Sequence, residues 1–177
     1  SVSYPHYSTF LSIGTASKTL YQIAREELGL SREKASELLE SITPERIEKI
    51  ENERSLPYAD EVLIMADKYK RPTLCNYFCS QQCPIGQQYV PRVEIKELSS
   101  IVLEMLASLN SVGKMKDRLI EIAADGKIDR DEIDDFIYIQ DELERISITV
   151  ETLQLWAEKM LANGVIDPDA YYARKAK

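Results

Sequence analysis

The one histidine in 177 residues falls in the N-terminal arm, no Ser/His/Asp set is evident, and the six glycines are too scattered to form a glycine-rich phosphate loop. An enzyme is therefore not expected. That histidine, His6, sits near the start of a chain that begins at Ser1, and residues 1–7 carry little weight. No segment approaches the roughly 18 consecutive apolar residues of a membrane span, and none has the pattern of a signal peptide. A cytoplasmic protein without membrane contact or bound cofactor is expected. Basic charge is also short. The net charge is −8, and the deficit is shared: residues 17–70 hold nine basic against twelve acidic side chains, and residues 71–177 hold thirteen against eighteen. A broad surface for polyanions is excluded, so any nucleic-acid face must be a local patch.

What remains is helix-forming. Leu, Ile, Glu, Lys and Ala dominate, 44% of residues are hydrophobic, and proline is confined to seven positions, so the expected fold class is all-α with a real core. Four short helices with tight joints are expected between Lys18 and Lys70. Apolar Leu20, Ile23, Ala24 and Leu28 lead to Gly29, a left-handed stop; Ser31 then caps a helix through Glu40. Thr43-Pro44 starts a third helix through Asn52, since threonine accepts an orphan amide and proline at the first position sacrifices none. Pro57 breaks the path before a fourth helix, Ala59 to Lys70, which Arg71-Pro72 ends.

The chain divides into an irregular arm at 1–16, a four-helix domain at 17–71, a joint at 72–93 and a helical hairpin at 94–177. In the hairpin, Leu98, Val102, Met105, Leu109 and Val112 mark one apolar stripe. The second runs from Ile133 and Phe136 through Leu143, Ile146, Val150 and Leu153 to Met160. Such stripes must be buried on each other or on a partner, and the expected partner is a second copy, giving a homodimer.

In the joint, Cys75, Cys79 and Cys83 recur every four residues. As candidate metal ligands they are an incomplete set, because structural zinc takes four ligands and no fourth cysteine or nearby histidine exists. Packing beside Leu74, Tyr77 and Phe78 is the reading taken, and no metal is expected. The stretch from Asp125 to Glu132 has the spacing of the second half of a calcium loop, but Glu121 and Ala123 stand where its first donors belong. It is read as a turn at Asp125-Gly126, a helix cap from Asp129 or Asp131, and a joint sealed by Ile128.

The string AREELGLSREKASELLESITPERIEKIENERSLPYADEVLIMADKY resembles the Cro/C1-type helix-turn-helix domains, also called the Xre family. The resemblance spans residues 17–71 and implies a lambda-repressor-like bundle that binds double-stranded DNA. It implies an ion pair between Arg25 and Glu51 that fixes the third helix, and it matches Ile47, Ile50 and Pro57. There are departures: Glu40-Ser41, with one extra residue, replaces the usual glycine turn. Glu53 stands where the family has glycine, so Asn52 is expected to be the left-handed residue. Ala35-Ser36 lightens a core contact.

Docking of the family kind would place Thr43, Pro44, Glu45, Arg46 and Lys49 toward the major groove, with Arg46 reading guanine and Glu45 accepting from cytosine. Ser31, Arg32, Asn52 and Arg54 would anchor phosphates. Glu48 has no role there and would repel them. The expected function is sequence-specific transcriptional regulation. The alternative is a non-catalytic interaction adaptor that keeps the fold without DNA binding.

Overall fold

The computed structural model describes residues 18–176, so the arm at 1–16 and His6 lie outside the described residues. Every regular element among them is helical, as the composition leads one to expect. None of these helices is long and apolar enough to cross a membrane.

The first four helices are short and sharply bounded: α1 Leu20–Glu27, α2 Arg32–Leu39, α3 Pro44–Glu51 and α4 Ala59–Lys68. Their ends follow from the chemistry of single side chains. Thr19, Ser31 and Thr43 each accept an amide of the first turn, from Gln22, Lys34 and Arg46. Gly29 takes φ +66° after α1. At α4 the Glu61 carboxylate accepts from the Tyr58 N–H at 2.7 Å, closing the first turn from inside the helix.

Two connections depend on strained residues. Glu40 has φ 59° and ψ −46°, and the Ser41 N–H donates to the Leu39 carbonyl at 2.6 Å, a γ-turn of the strained positive-φ kind. This is how the extra residue between α2 and α3 is absorbed. After α3 the left-handed residue is Glu53, at φ 55°, and Asn52 stays at φ −91°. The expectation for Asn52 is thus corrected: the Arg54 N–H must reach back to the Lys49 carbonyl, and that turn puts the positive φ one residue later.

The core holds Tyr21, Ala24, Ala35, Leu39, Ile42, Ile47, Ile50, Val62, Met65 and Tyr69, each nearly closed to solvent. On α1 the buried face is Tyr21, Ala24 and Arg25, while the expected Leu20 and Leu28 are exposed. The core does not stop at Arg71. Helix α5, Thr73–Gln81, adds buried Leu74, with Cys75, Tyr77 and Phe78 packed against the same cluster. Tyr21 and Tyr77 meet edge-to-face at 5.7 Å, and the Tyr21 hydroxyl donates to Gln82 at 2.8 Å. The segment read as a joint therefore contributes a fifth helix to the bundle. A one-turn helix, α6 Gly86–Tyr89, lies so close to α5 that a Cβ on Gly86 would stand 2.0 Å from the Cys79 carbonyl oxygen.

Beyond it, α7 Leu98–Lys114, α8 Lys116–Ala123, α9 Ile133–Ala162 and α10 Pro168–Lys175 complete the chain. Helices α7 and α9 pack on one another. Two contacts join the end of α7 and α8 to the start of α9, so α7 and α9 run antiparallel: the hydroxyls of Ser111 and Tyr138 lie 2.5 Å apart, and Arg118 donates to Asp135 at 2.6 Å. The buried faces are not the expected stripes. On α7 they are Ile101 and Ser108, and on α9 Ile139, Glu142, Thr149, Thr152 and Leu155. Thr149 and Thr152 can be buried because each hydroxyl donates to the carbonyl four residues back, at 2.8 and 2.7 Å.

The acidic turn also differs from expectation. Gly126 has φ +72° and the Lys127 N–H donates to Asp125, as a turn requires, but Ile128 is exposed. Neither Asp129 nor Asp131 caps α9. Instead the Glu132 carboxylate accepts from the Asp129 N–H at 3.0 Å, because Glu132 is itself the residue that opens the helix.

Candidate nucleic-acid interface

Helix α3 is seated by apolar contact and by charge. Ile47 and Ile50 turn into the core, and between them and the C-terminal end Glu51 is only 3% exposed. Its carboxylate is saturated: Arg25 Nε donates to Oε1 at 2.6 Å, Arg25 Nη2 to Oε2 at 3.0 Å, and Arg32 Nε to Oε2 at 2.9 Å. Arg25 Nη1 also donates to the Leu30 carbonyl at 2.5 Å, so one guanidinium joins α1, the α1–α2 turn and α3. The hydrogen bonds to Glu51 raise the Arg25 pKa, outweighing the opposing effect of its burial. Both partners are nearly dry, so this arrangement fixes geometry more surely than it adds net stability.

A second clamp holds the other side of α3, and Arg46 supplies it. Arg46 Nε and Nη2 donate to the two oxygens of Glu61 at 2.7 and 2.6 Å. Nη1 donates to Ser55 Oγ at 2.7 Å and Nη2 also to the Leu56 carbonyl at 2.9 Å. The Tyr58 ring lies 4.8 Å from the guanidinium carbon. These contacts leave Arg46 no donor fork for a base edge. From its helical position the side chain expected to read guanine reaches the α3–α4 connection, where the partly buried Glu61 carboxylate and the Leu56 carbonyl engage it.

The other sequence-derived candidates fall into two groups. Thr43, Glu45 and Lys49 are exposed, with Pro44 half-exposed beside them. Glu45, Lys49 and Asn52 follow at four and three residue steps, which places them in one outward row. In the second group, basic side chains are met by carboxylates. Arg32 is drawn to Glu51, and Glu48 Oε1 accepts from Asn52 at 2.8 Å and faces Arg54 Nη1 at 3.2 Å. Glu48, which had no expected role, thus ties down Asn52 and Arg54 just past the helix. Ser31 is exposed and its oxygen is used as a cap. The pairing of Glu61 with Arg46 carried no signal in the sequence beyond charge, because it acts across a connection, whereas Glu48 reaches Asn52 at the four-residue spacing of a helix face.

The cysteines lie apart from this face. Cys75 and Cys79 are on α5, and burial pushes the Cys75 thiol pKa up, with Cys79 and Glu158 adding to the effect. Cys83 Sγ accepts from the Gly86 N–H at 3.5 Å. Among the described residues no group of three or more His, Cys, Asp or Glu side chains is placed to hold a metal ion.

No family model, curated protein or solved structure matches the chain.

Proposed function

We propose that the chain is a sequence-specific DNA-binding transcriptional regulator whose residues 17–71 form a helix-turn-helix of the Cro/C1 type. The observation that carries this reading is the mounting of α3. Its inner side is held by Arg25 and Arg32 on Glu51 and by Arg46 on Glu61, while Thr43, Glu45 and Lys49 stand outward at its start and middle. A helix pinned at both flanks with a polar row facing solvent suits insertion into a major groove. In this arrangement Lys49 takes the place of Arg46 as the cationic reader, Glu45 accepts from cytosine, and the amides capped by Ser31 and Thr43 approach phosphates.

Few cations remain for the backbone, so affinity must come from pairing two modules on one site. The surface of α7 and α9 supports a homodimer. Leu98, Val102, Leu106 and Leu109 of α7 lie within about 80° of one another on the helix. Together with Leu143 and Val150 of α9 they remain between 38% and 56% exposed. Seen from its own N-terminus, each helix carries these residues on the same hand of the contact line, so in an antiparallel pair both stripes come to one side. The Ser111–Tyr138 contact sets a register that puts Leu106 level with Leu143. The patch is on the order of 500 Å² per chain, and two copies facing across a two-fold axis reach the ~1,000 Å² of a specific interface.

The adaptor reading has its own observation: Arg32, Arg46 and Arg54 each face a glutamate, which leaves Lys49 as the main unpaired cation on α3. The two readings separate in a fluorescence-anisotropy titration against DNA selected by the protein. The regulator binds with a shallow salt dependence, a slope of roughly −1 to −3 for a few phosphate contacts, and loses affinity on Lys49→Ala. An adaptor binds no DNA.

A further inference from the structure

A cavity of about 490 Å³ opens where the bundle meets the end of α9. Its size is that of a small-molecule site. One wall comes from the α4–α5 corner with Lys70 and Arg71, a second from the strap before α7 with Arg92 and Glu94, and a third from Lys159 of α9 and Asn163 just past its end. Acidic side chains outnumber basic ones by 30 to 22 in this chain, yet the lining inverts that balance, with four cations against the single carboxylate of Glu94.

The counter-charges around these cations are weak competitors. Arg71 pairs with Glu27, Lys70 lies 3.5 Å from Asp67, and Arg92 lies 3.8 Å from Glu94, all on solvent-exposed side chains. Exposed pairs of that kind are weak and yield to a ligand that offers two negative charges at once. Lys159 has no carboxylate within 4 Å among the described residues. The remaining lining is of a different kind: Leu20, Val93, Ile95 and the Tyr77 ring offer apolar contact, and the side chains of Asn76 and Gln81 offer hydrogen bonds. Asn76 is already fixed, donating to the Pro91 carbonyl at 3.0 Å and accepting from the Val93 N–H at 3.2 Å, so the strap that carries Arg92 is held at the cavity.

We propose that this cavity binds a small organic phosphate, with the phosphate between Arg71, Arg92 and Lys159 and its organic body against Tyr77 and the aliphatic side chains. Guanidinium forks match phosphate oxygens two at a time, and a purely apolar ligand would satisfy none of the four cations in the lining. An occupant touches α5 of the bundle and α9 of the C-terminal pair together, so it sets the angle between them. The site does not depend on DNA binding, and Lys49→Ala leaves it intact.

Calorimetric titration of the full chain with phenyl phosphate tests the proposal, with benzoate as the singly charged comparison and Arg92→Gln/Lys159→Gln as the variant. Arg92 is exposed and Lys159 is outside the core, and melting curves on the same samples verify that the variant is folded. The expected result is saturable one-to-one binding of phenyl phosphate, at least tenfold tighter than benzoate, and weakened about tenfold or more in the variant. Amide shifts at Asn76 and Asn163 in the unaltered protein report the location independently. Absence of saturable binding, equal binding of benzoate, an unaffected variant, or shifts confined to other residues each overturn it.

Discussion

Arg46 and Glu61 form a two-point ion pair, 2.7 and 2.6 Å long, that joins the first turn of α3 to the first turn of α4 across the Pro57 connection. The same carboxylate closes α4 through the Tyr58 amide. The residue best suited by type to read DNA is therefore part of the mount that holds α3.

Arg46→Ala is expected to lower unfolding stability by about 2 kcal/mol, since it leaves a largely buried carboxylate without its partner. Arg46→Lys should recover only part of this, because an ammonium cannot span both oxygens and the Leu56 carbonyl. Urea titrations of the three proteins measure the differences. An arginine whose only part was to meet DNA would leave the midpoint unchanged.

Acid should open this joint. Burial by itself would raise the Glu61 pKa, but the hydrogen bonds from Arg46 and Tyr58 outweigh it and hold the group below its ordinary 4.5. A carboxylate depressed in the folded state contributes stability that is full above 4.5 and is lost as pH falls through its lower folded value. Glu61→Gln should therefore be less stable than the parent at neutral pH, with the gap narrowing below pH 4.5. Melting temperatures at a series of pH values supply the comparison.

Glu53→Gly is expected to raise stability by about 1 kcal/mol, because Glu53 sits at φ 55° with an exposed side chain. The matching change at Asn52, which has φ −91°, should destabilise. The pair of variants, compared by thermal melting, distinguishes which residue makes the turn.

These residues also mark how far the sequence could be read. The starts of α2 and α3 were legible because Ser31 and Thr43 act on amides only three positions away. The pattern of α5 was visible in the four-residue cysteine spacing, yet its membership of the bundle was not, since that depends on Tyr21 meeting Tyr77 and Gln82 across the chain. The apolar arcs of α7 and α9 are wider than one neighbouring helix can cover. Periodicity located the arcs but not their inner edge, which Ser108, Thr149 and Thr152 settle by being small or self-satisfied. The start of α10 at Asp167-Pro168 carries the same signal as Thr43-Pro44. The destination of Arg46 had no signal at all, because the carboxylate that binds it lies fifteen residues away across a proline turn.

Leu106→Glu is expected to convert the proposed dimer to monomer while leaving the fold intact, since Leu106 is exposed within one chain and belongs to the apolar face. Light scattering of parent and variant at matched concentration gives the masses, and circular dichroism verifies the helices. A parent chain that is monomeric at high micromolar concentration would remove the dimer from the proposed mode of DNA binding.

The central proposal, that α3 reads DNA through Lys49 and Glu45, is tested most directly by selecting bound duplexes from a random pool with the full chain and measuring affinity for the winner. We predict enrichment of a two-fold-symmetric sequence, with affinity falling about tenfold on Lys49→Ala and base preference relaxing at one position on Glu45→Ala. Enrichment of no sequence, or of one bound equally well by both variants, would contradict it.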